Sequence, residues 1–344
     1  MSPYLNLVVS FVFLGGASWC IGEGGEILGD KYDASIIGGL FIAWLNTAPE
    51  AIFFITALES NNPRFAVGAM SGSTIVVCTV AMGACYYFGT TARKQQYFIL
   101  QHGVKKQCLQ LLISAFVPIT MSIFGWSYVF SLIGVGSYLI FLITEFTKTK
   151  ELHPHQHKDV ETVEESSSGV EEPLWKGIVY LLVGGGLILL FSEPFIEAVV
   201  DIAAIASVNP ILLAFFLAPI ASEMPEILES ISLSRKGHSQ SINVAVSNLI
   251  GGTITKTTLL TGIFSYYGKS REFTWENPNY SLSLVLLSVS AVISAFLGYQ
   301  LPAQHTWQAY ILFLVFIITG IIQYTYNSTF EVITPELDRL PTPT

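Results

Sequence analysis

Apolar runs separated by short polar loops make up almost the whole chain. A helix needs about 20 mostly apolar residues to cross a bilayer, and ten runs approach or exceed that length. They cover residues 4–28, 34–60, 66–88, 107–125, 127–147, 175–200, 209–233, 240–266, 280–299 and 306–326. The pattern predicts an all-α, polytopic membrane protein with about ten transmembrane helices.

One long polar segment divides the ten runs into five and five. Residues 148–174 are charged, rich in serine and poor in apolar residues, which is typical of a mobile linker. We therefore expect a five-helix repeat over 1–147, the linker, a second five-helix repeat over 175–330, and a polar tail over 331–344. An odd number of spans per half turns the second half over in the membrane. This predicts an inverted-topology repeat with a binding site near the midplane.

The two halves also resemble each other in sequence. Residues 34–77 align with 208–256, and each copy has an apolar helix, a Pro-Glu pair, a short polar loop and a stretch of small residues. The Pro-Glu pairs lie in "NTAPE" and "SEMPE", and the small-residue stretches read "AVGAMSGST" and "AVSNLIGGT". Several features that recur in one order favour an internal repeat.

The composition agrees with a membrane protein. Charged residues make up 12% of the chain and hydrophobic residues 51%, with a mean hydropathy of +0.56, whereas soluble domains carry about 25% charged residues. The net charge of −9 argues against nucleic acid as a partner. The first run lacks the basic start and small-residue cleavage site of a removed signal peptide.

Basic residues in the loops predict the orientation, because cytoplasmic loops are enriched in Lys and Arg. With the N-terminus outside, eleven Lys and Arg residues lie on the inner side, four on the outer side, and Lys256 lies within a span. We therefore expect a cell-membrane protein with both termini outside and the 148–174 linker in the cytoplasm. The linker histidines, His153, His155 and His157, have two open interpretations: a metal sensor, or incidental residues of a solvated segment.

A proline and a glutamate inside an apolar run each carry an energetic cost. Pro49 and Pro225 have no N–H, so each frees the carbonyl four residues earlier, that of Leu45 and of Ala221 respectively. A freed carbonyl within the bilayer must face protein, water or a ligand. An ionisable residue at this depth costs roughly 2.5–3.5 kcal/mol or more, which makes it a functional candidate.

Carbonyl oxygens beside a carboxylate form the ligand set that hard cations such as Ca²⁺ prefer. We therefore predict a metal and cation site built around Glu50 and Glu226. Helical spacing of three or four residues places further oxygens on the same faces, and Glu229 follows one turn after Glu226. Besides the two freed carbonyls, the other predicted cation-binding residues are Asn46, Thr47, Ser73, Ser222, Glu223 and Asn248.

At these residues the chain resembles the cation/Ca²⁺ exchanger superfamily, the sodium/calcium exchangers and their relatives. That family carries G-(T/S)-S-x-P-E in each of two inverted repeats, followed one helix later by V-G-N-x-x-G-S-N. Here "LNTAPE" and "ASEMPE" correspond to the first motif, and "VGAMSGST" and "VSNLIGGT" to the second. The resemblance covers both repeats and therefore most of the chain.

The resemblance implies a secondary antiporter that exchanges Ca²⁺ or a related divalent cation for Na⁺ or H⁺ by alternating access. Glu50 and Glu226 would be the central shared ligands, and Thr47, Ser222 and Ser73 match hydroxyl positions of the family. Spans 1 and 6 would slide across a core of spans 2, 3, 7 and 8. The partners would be inorganic cations and the lipid bilayer, and no cofactor is expected beyond the transported ions.

The chain departs from the family pattern at several positions. Glu223 stands where the family usually has serine, Asn46 replaces a threonine, and Gly252 has no side chain to donate. Val77 and Lys256 stand where sodium/calcium exchangers often present Asn or Asp. The site therefore loses oxygen ligands and gains one carboxylate and one possible ammonium.

Lys256 has two open interpretations. Its ammonium reaches a carboxylate such as Glu223 and replaces one transported ion, or it lies in a polar vestibule away from the ions. The resulting hypothesis is that fewer ions bind and that protons are coupled, because a carboxylate beside another carboxylate retains a proton more readily. Four acids on the sliding spans either line an ion entrance or mark helix ends: Glu23, Glu26, Glu193 and Glu197.

Other functions have less support in the sequence. A member that senses or regulates instead of transporting would account for the altered residues at positions 77 and 256. The sequence has no H-E-x-x-H or G-x-S-x-G motif of common enzyme sites. It also lacks the repeated filter loop or ring of like charges that is typical of channels. We therefore expect a transporter and no enzyme.

Overall fold

The structure of the protein is a computed structural model, and helices form nearly all of its described residues. The described residues are 2–29, 34–59, 63–93, 96–151, 173–205, 215–216, 218–275 and 279–337. The linker histidines, His153, His155 and His157, lie outside them.

The first half consists of α-helices interrupted by two π-helical turns. Its α-helices are α1 (Pro3–Gly29), α2 (Ala34–Ile36), α3 (Ala43–Glu59), α4 (Pro63–Val76), α5 (Met82–Thr91), α6 (His102–Ser114), α7 (Phe116–Phe124) and α8 (Tyr128–Glu151). Its π-helical turns are π1 (Ile37–Ile42), between α2 and α3, and π2 (Val77–Ala81), between α4 and α5.

The second half has a similar composition of elements. Its described α-helices are α9 (Leu174–Ile205), α10 (Ala218–Ser222), α11 (Met224–Arg235), α12 (Ser239–Thr255), α13 (Thr261–Ser270), α14 (Asn279–Gln300) and α15 (Thr306–Leu337). A π-helical turn, π3 (Lys256–Leu260), lies between α12 and α13.

The π-helical turns π2 and π3 occur at matching places in the two halves. Each has five residues, and each is followed by a helix of ten residues, α5 in the first half and α13 in the second. They begin at Val77 and Lys256, the two residues that end the aligned stretches of sequence. Because π-helical turns are rare and occur often at functional sites, their positions make these two segments candidates for a functional site.

Two local features differ from the sequence-based expectation. The predicted run 107–125 is two helices, α6 and α7, because Pro118 has no N–H to donate to the carbonyl of Ser114. A short antiparallel pair of strands, β1 (Tyr97–Phe98) and β2 (Gln304–His305), is an exception to the all-α prediction. This pair joins the connection before α6 to the connection before α15.

Seven helical segments within the described residues are long and apolar enough to cross a membrane. They are Pro3–Gly25, Ala66–Thr91, His102–Phe124, Tyr128–Thr147, Leu174–Phe191, Tyr280–Gln300 and Thr306–Tyr326. The molecule is therefore a polytopic helical membrane protein, whereas the number of ten spans stays a prediction. The predicted runs missing from the seven are 34–60, 209–233 and 240–266, which contain both Pro-Glu pairs and Lys256.

Polar side chains concentrate inside the molecule, and apolar side chains cover its outside. Every residue of α12 from Ser241 to Thr255 is buried, although many of these residues are polar. By contrast, large apolar side chains of α1, α8, α9 and α15 are exposed, among them Val12, Leu132 and Leu190. Soluble monomers rarely expose large apolar surfaces, which mark membrane or interaction faces. The arrangement therefore fits a polar centre enclosed by helices that face lipid.

Two helix contacts depend on glycine. Helix α1 packs along α9, and a Cβ on Gly184 of α9 would lie 2.9 Å from the backbone oxygen of Ala17. The turn π1 packs against α12, and a Cβ on Gly251 would lie 2.7 Å from two backbone carbon atoms of Gly39. Small residues let membrane helices approach this closely.

Candidate functional site

Five segments from both halves enclose a buried polar cluster: α3, α4, the α10–α11 break, α12 and π3. Helix α3 continues through Pro49 without interruption. In the second half the helix breaks at Glu223, whose backbone angles are φ −85° and ψ 0°, and Pro225 lies in the first turn of α11. The two Pro-Glu pairs therefore have different local structures, although their sequences match.

Lys256 connects carboxylates of the two halves. Its side chain is fully buried, and its ammonium lies 2.6 Å from Oε2 of Glu50. The same ammonium also donates to Oε1 of Glu223, which accepts a second hydrogen bond from the Ser73 hydroxyl. The structure therefore agrees with the interpretation in which the Lys256 ammonium reaches the acids, and not with the one in which it lies in a vestibule.

A second group in the cluster joins Glu229 to two asparagines. Nδ2 of Asn46, on α3, donates to Oε2 of Glu229 at 2.9 Å. Nδ2 of Asn248, on α12, donates to Oε1 of the same carboxylate at 3.1 Å. All three side chains are at most 4% exposed. Each oxygen of this carboxylate is thus paired with an amide from a different half of the chain.

Several oxygens in the cluster have no hydrogen-bond partner in the part of the chain that the structure describes. These are Asn46 Oδ1, Thr47 Oγ1, Glu50 Oε1, Glu223 Oε2, Glu226 Oε1, Glu226 Oε2 and Asn248 Oδ1. Buried polar atoms nearly always have a partner, so a group of partnerless oxygens in one place indicates a ligand site. Every one of these oxygens has lone pairs to offer, and such a set of carboxylate, amide and hydroxyl oxygens suits a cation.

Gly252 borders this group of oxygens. A Cβ built on Gly252 would lie 3.5 Å from Glu226 Oε1 and 3.6 Å from Thr47 Oγ1, both ordinary contact distances. The missing side chain therefore leaves room between an acid of the second half and a hydroxyl of the first.

Other predicted ligands have different surroundings. The Ser222 hydroxyl donates to the carbonyl oxygen of Pro219 at 3.1 Å, and the Ser73 hydroxyl is engaged by Glu223. The two carbonyls predicted to be freed by proline belong to Leu45, within continuous α3, and Ala221, within α10 at the helix break.

Two of the four acids predicted at an ion entrance, Glu23 and Glu197, have described side chains. Glu23 pairs with Lys236 at 2.8 Å, and both side chains are partly exposed. Glu197 is exposed on α9. The side chains of Glu26 and Glu193 lie outside the described part of the structure.

Sequence reasoning did not count Glu229 among the ligands or predict its hydrogen bonds. The available signal was its position one turn after Glu226, which puts both acids on one face of α11. Within the described residues, no group of three His, Cys, Asp or Glu side chains is arranged to hold a metal ion. The cluster also contains the amides of Asn46 and Asn248, the Ser73 hydroxyl and the Lys256 ammonium.

Comparison with known proteins connects the fold to a family of transporters. The family model for "Sodium/calcium exchanger protein" matches residues 2–147 and 176–325. The solved sodium-calcium exchanger NCX_Mj has a TM-score of 0.72 at 16% identity, with 93% of this chain and 98% of that chain covered. The solved H⁺/Ca²⁺ exchanger CAX has a TM-score of 0.69 at 20% identity, with 98% and 87% covered. At these identities the two structures establish the fold alone.

Curated relatives are similar over parts of the chain. Sodium/calcium exchanger NCL1 of Oryza sativa subsp. japonica is 22% identical over 199 residues, which are 57% of this chain and 33% of that protein. This chain therefore covers about a third of the length of that relative. The putative antiporter CaxA of Alkalimonas amylolytica is 23% identical over 229 residues, with 66% of this chain and 68% of that protein covered.

The family model covers both halves, on either side of the polar linker, and so extends over most of the chain. The polytopic helical fold and the two matched structures agree with that assignment. The chain belongs to the sodium/calcium exchanger protein family.

Proposed function

We propose that the protein is a secondary active antiporter that exchanges Ca²⁺ or a related divalent cation for Na⁺ or H⁺ by alternating access. The cation binds between the two Pro-Glu pairs, with Glu50 and Glu226 as its central ligands. The observation that carries this proposal is the group of buried, partnerless oxygens contributed by both halves of the chain. Hard cations take six to eight such oxygens, from carboxylates, amides, hydroxyls and water.

The charge of the cluster supports a cation as substrate. The cluster contains four buried glutamates, at positions 50, 223, 226 and 229, and one buried ammonium, that of Lys256. With all five groups ionised, the cluster carries a net charge of −3, which is costly to bury within a membrane. One Ca²⁺ reduces that charge to −1, and a proton or monovalent cation removes the remainder. Cation binding therefore stabilises the cluster in its buried position.

Family membership supports antiport as the type of transport. Relatives named as sodium/calcium exchangers and as an H⁺/Ca²⁺ exchanger suggest Ca²⁺, Na⁺ and H⁺ as candidate ions.

The proposed transport cycle uses two inverted repeats, residues 1–147 and 175–330, joined by a cytoplasmic linker over 148–174. In this scheme both termini, including the tail over 331–344, face the outside of the cell membrane. The matched π-helical turns support the repeats. Helices α1 and α9 pack along each other and expose apolar side chains, which supports their movement as one unit across the core that holds the site.

Lys256 favours a cycle with fewer mobile ions than the four acids alone would require. Its ammonium contacts Glu50 and Glu223, so it supplies the positive charge that a bound Na⁺ would otherwise supply. We therefore favour proton coupling as the second half of the exchange. A non-transporting sensor of the same fold is the alternative that the flux measurement below addresses.

The decisive experiment is uptake of ⁴⁵Ca²⁺ into proteoliposomes that contain the purified protein, under imposed Na⁺ or H⁺ gradients. We expect saturable uptake driven by an outward gradient of H⁺ at equal Na⁺ on both sides. The variants Glu50→Gln and Glu226→Gln should abolish uptake. The matched control is Glu59→Gln, which removes an exposed carboxylate from the same helix as Glu50 and should leave uptake unchanged.

Three outcomes would contradict the proposal in different ways. Normal uptake by both Glu50→Gln and Glu226→Gln would remove these residues from the site. Strict dependence on Na⁺, with several Na⁺ per Ca²⁺, would overturn the reduced ion count and the proton coupling but keep the antiporter. No flux of Ca²⁺ under either gradient, by a folded protein, would favour the sensor.

A further inference from the structure

Glu229 is buried beside the proposed cation site, yet its two oxygens face amides. Oε2 accepts from Asn46 at 2.9 Å and Oε1 accepts from Asn248 at 3.1 Å. Both oxygens of Glu226, one turn earlier on the same helix, have no partner among the described residues. Two acids three residues apart therefore have different surroundings, which suggests that they have different roles.

The hydrogen bonds of Glu229 determine the orientation of both amides. Both Glu229 oxygens accept hydrogen bonds, and an asparagine side chain presents NH₂ on one side and a carbonyl oxygen on the other. The NH₂ group must face Glu229, so the Oδ1 atoms of Asn46 and Asn248 must point away from it. Both Oδ1 atoms are buried and lack a partner within the described structure.

We propose that Glu229 is a positioning residue, which turns the carbonyl oxygens of Asn46 and Asn248 towards the transported cation. The two oxygens come from different halves of the chain, so this arrangement gives the site one amide ligand from each. Each Glu229 oxygen accepts from one of the two NH₂ groups, so Glu229 acts on the ion through the amides. The inference rests on the proposed cation transport and adds the reason why two amides can act as ligands.

Positions in the fold support this role. Asn46 and Thr47 precede Glu50 by four and three residues, so their side chains share the face of α3 that carries the central acid. If either amide turned over, it would direct two N–H donors at the cation, and its oxygen would face the Glu229 carboxylate. Both changes are electrostatically unfavourable. Replacement of Glu229 should therefore weaken cation binding more than it slows the transport steps.

The first test is Glu229→Gln, examined by the initial rate of ⁴⁵Ca²⁺ uptake as a function of Ca²⁺ concentration in proteoliposomes. Glutamine has one acceptor and one NH₂ group, so it can orient only one of the two asparagines. We expect KM to rise roughly tenfold or more, because a hydrogen bond to a charged group is lost, while the maximal rate stays within about twofold. A purely structural residue would lower the amount of folded protein and leave KM unchanged.

The second test exchanges the two groups. In Asn46→Asp/Glu229→Gln, the glutamine NH₂ can donate to the new aspartate, and its oxygen can accept from Asn248. Both hydrogen bonds are restored, Asn248 keeps its orientation, and one aspartate oxygen takes the place of Asn46 Oδ1. We expect the KM of the double variant to return to within about threefold of the wild-type value, since the lost hydrogen bonds are replaced.

Each result decides for or against the role of Glu229. An unchanged KM in Glu229→Gln, or a lower maximal rate alone, would overturn it. If Glu229→Gln does not fold, the double variant must fold and transport with a nearly normal KM, and failure of both would also overturn it. Inactive Glu226→Gln together with a normal KM in Glu229→Gln would reject only this inference, whereas normal Glu50→Gln and Glu226→Gln would reject the proposed site itself.

Discussion

The Lys256 ammonium lies 2.6 Å from Oε2 of Glu50, although the two residues are in different halves of the chain. The same ammonium contacts Glu223, and all three side chains are buried. A buried ion pair contributes little net stability by itself, but removal of one partner leaves an uncompensated charge. Lys256 therefore offsets part of the negative charge that Glu50 and Glu223 bring into the buried cluster.

Lys256→Met should strongly destabilise the protein. Methionine has a similar length and no charge, so Glu50 and Glu223 would remain buried without their cation. Breaking a buried ion pair in this way costs about 3–5 kcal/mol. Thermal unfolding in detergent, in the absence of Ca²⁺, measures the loss, and unfolding at the wild-type temperature would contradict it.

The double variant Lys256→Met/Glu223→Ser is the control for this prediction. It removes the ammonium together with one carboxylate and places a serine where the exchanger family usually has one. Because one buried charge disappears with its partner, we expect the double variant to be more stable than Lys256→Met alone. Additive losses from the two single changes would mean that the contact between Lys256 and Glu223 carries no coupling energy.

Gly252→Ser should tighten binding of the transported cation. The new Cβ would lie at ordinary contact distance from Glu226 and Thr47, so the side chain fits, and its hydroxyl adds one oxygen to the site. We expect the KM for Ca²⁺ to fall by roughly threefold to tenfold, because Ca²⁺ takes six to eight oxygen ligands. Initial rates of ⁴⁵Ca²⁺ uptake provide the measurement.

Gly252→Ala distinguishes the effect of the added oxygen on KM from the effect of the added side-chain volume. Alanine fills the same space without a ligand, so KM should stay within about twofold of the wild-type value. If alanine and serine change KM equally, the effect is steric, and the idea that an oxygen is missing at this position is wrong.

The Pro-Glu pairs predicted a site around Glu50 and Glu226, because a glutamate inside an apolar run has few explanations other than a site, and both side chains are buried in the polar cluster. The sequence pattern could not decide what the Lys256 ammonium contacts. Its long side chain reaches either the acids or a vestibule, and only the packing of π3 against the first half decides between them. Glu229 was missed because its role depends on two amides from other helices, Asn46 and Asn248, which sequence spacing does not bring together.

The geometry of the helices could also be predicted only in part. A proline within a helix predicts a break, and this holds at Glu223 just before Pro225, but α3 continues through Pro49. The π-helical turns were not predicted, since their sequences have no signal that distinguishes them from an α-helix. Tertiary packing therefore determined these features, while hydropathy alone was sufficient for the membrane class.

Gly251→Ala should destabilise the contact between α12 and π1. Its Cβ would lie 2.7 Å from two backbone carbon atoms of Gly39, and backbone cannot move aside as a flexible side chain can. Overpacking of this kind costs typically about 1–3 kcal/mol.

The matched control is Gly68→Ala on α4, which has open space around its Cβ position. It should unfold at or slightly above the wild-type temperature, since alanine favours a helix over glycine by roughly 0.5–1 kcal/mol. Equal melting temperatures for the two variants would contradict the close approach.

Glu23 should act through Lys236 and not as an isolated acid at an ion entrance. The two groups pair at 2.8 Å between α1 and the residue after α11, and both are partly exposed. Exposed pairs contribute about 0–1 kcal/mol, so Glu23→Gln and Lys236→Gln should each have a small effect on stability. In Glu23→Gln/Lys236→Gln the second change should add almost nothing to the first, because the partner is already lost.

Rates of ⁴⁵Ca²⁺ uptake at low and high ionic strength test the alternative, in which Glu23 is part of an ion entrance. If Glu23→Gln slows uptake at low ionic strength while Lys236→Gln accelerates it, the charge of Glu23 attracts cations and the pair is part of an entrance.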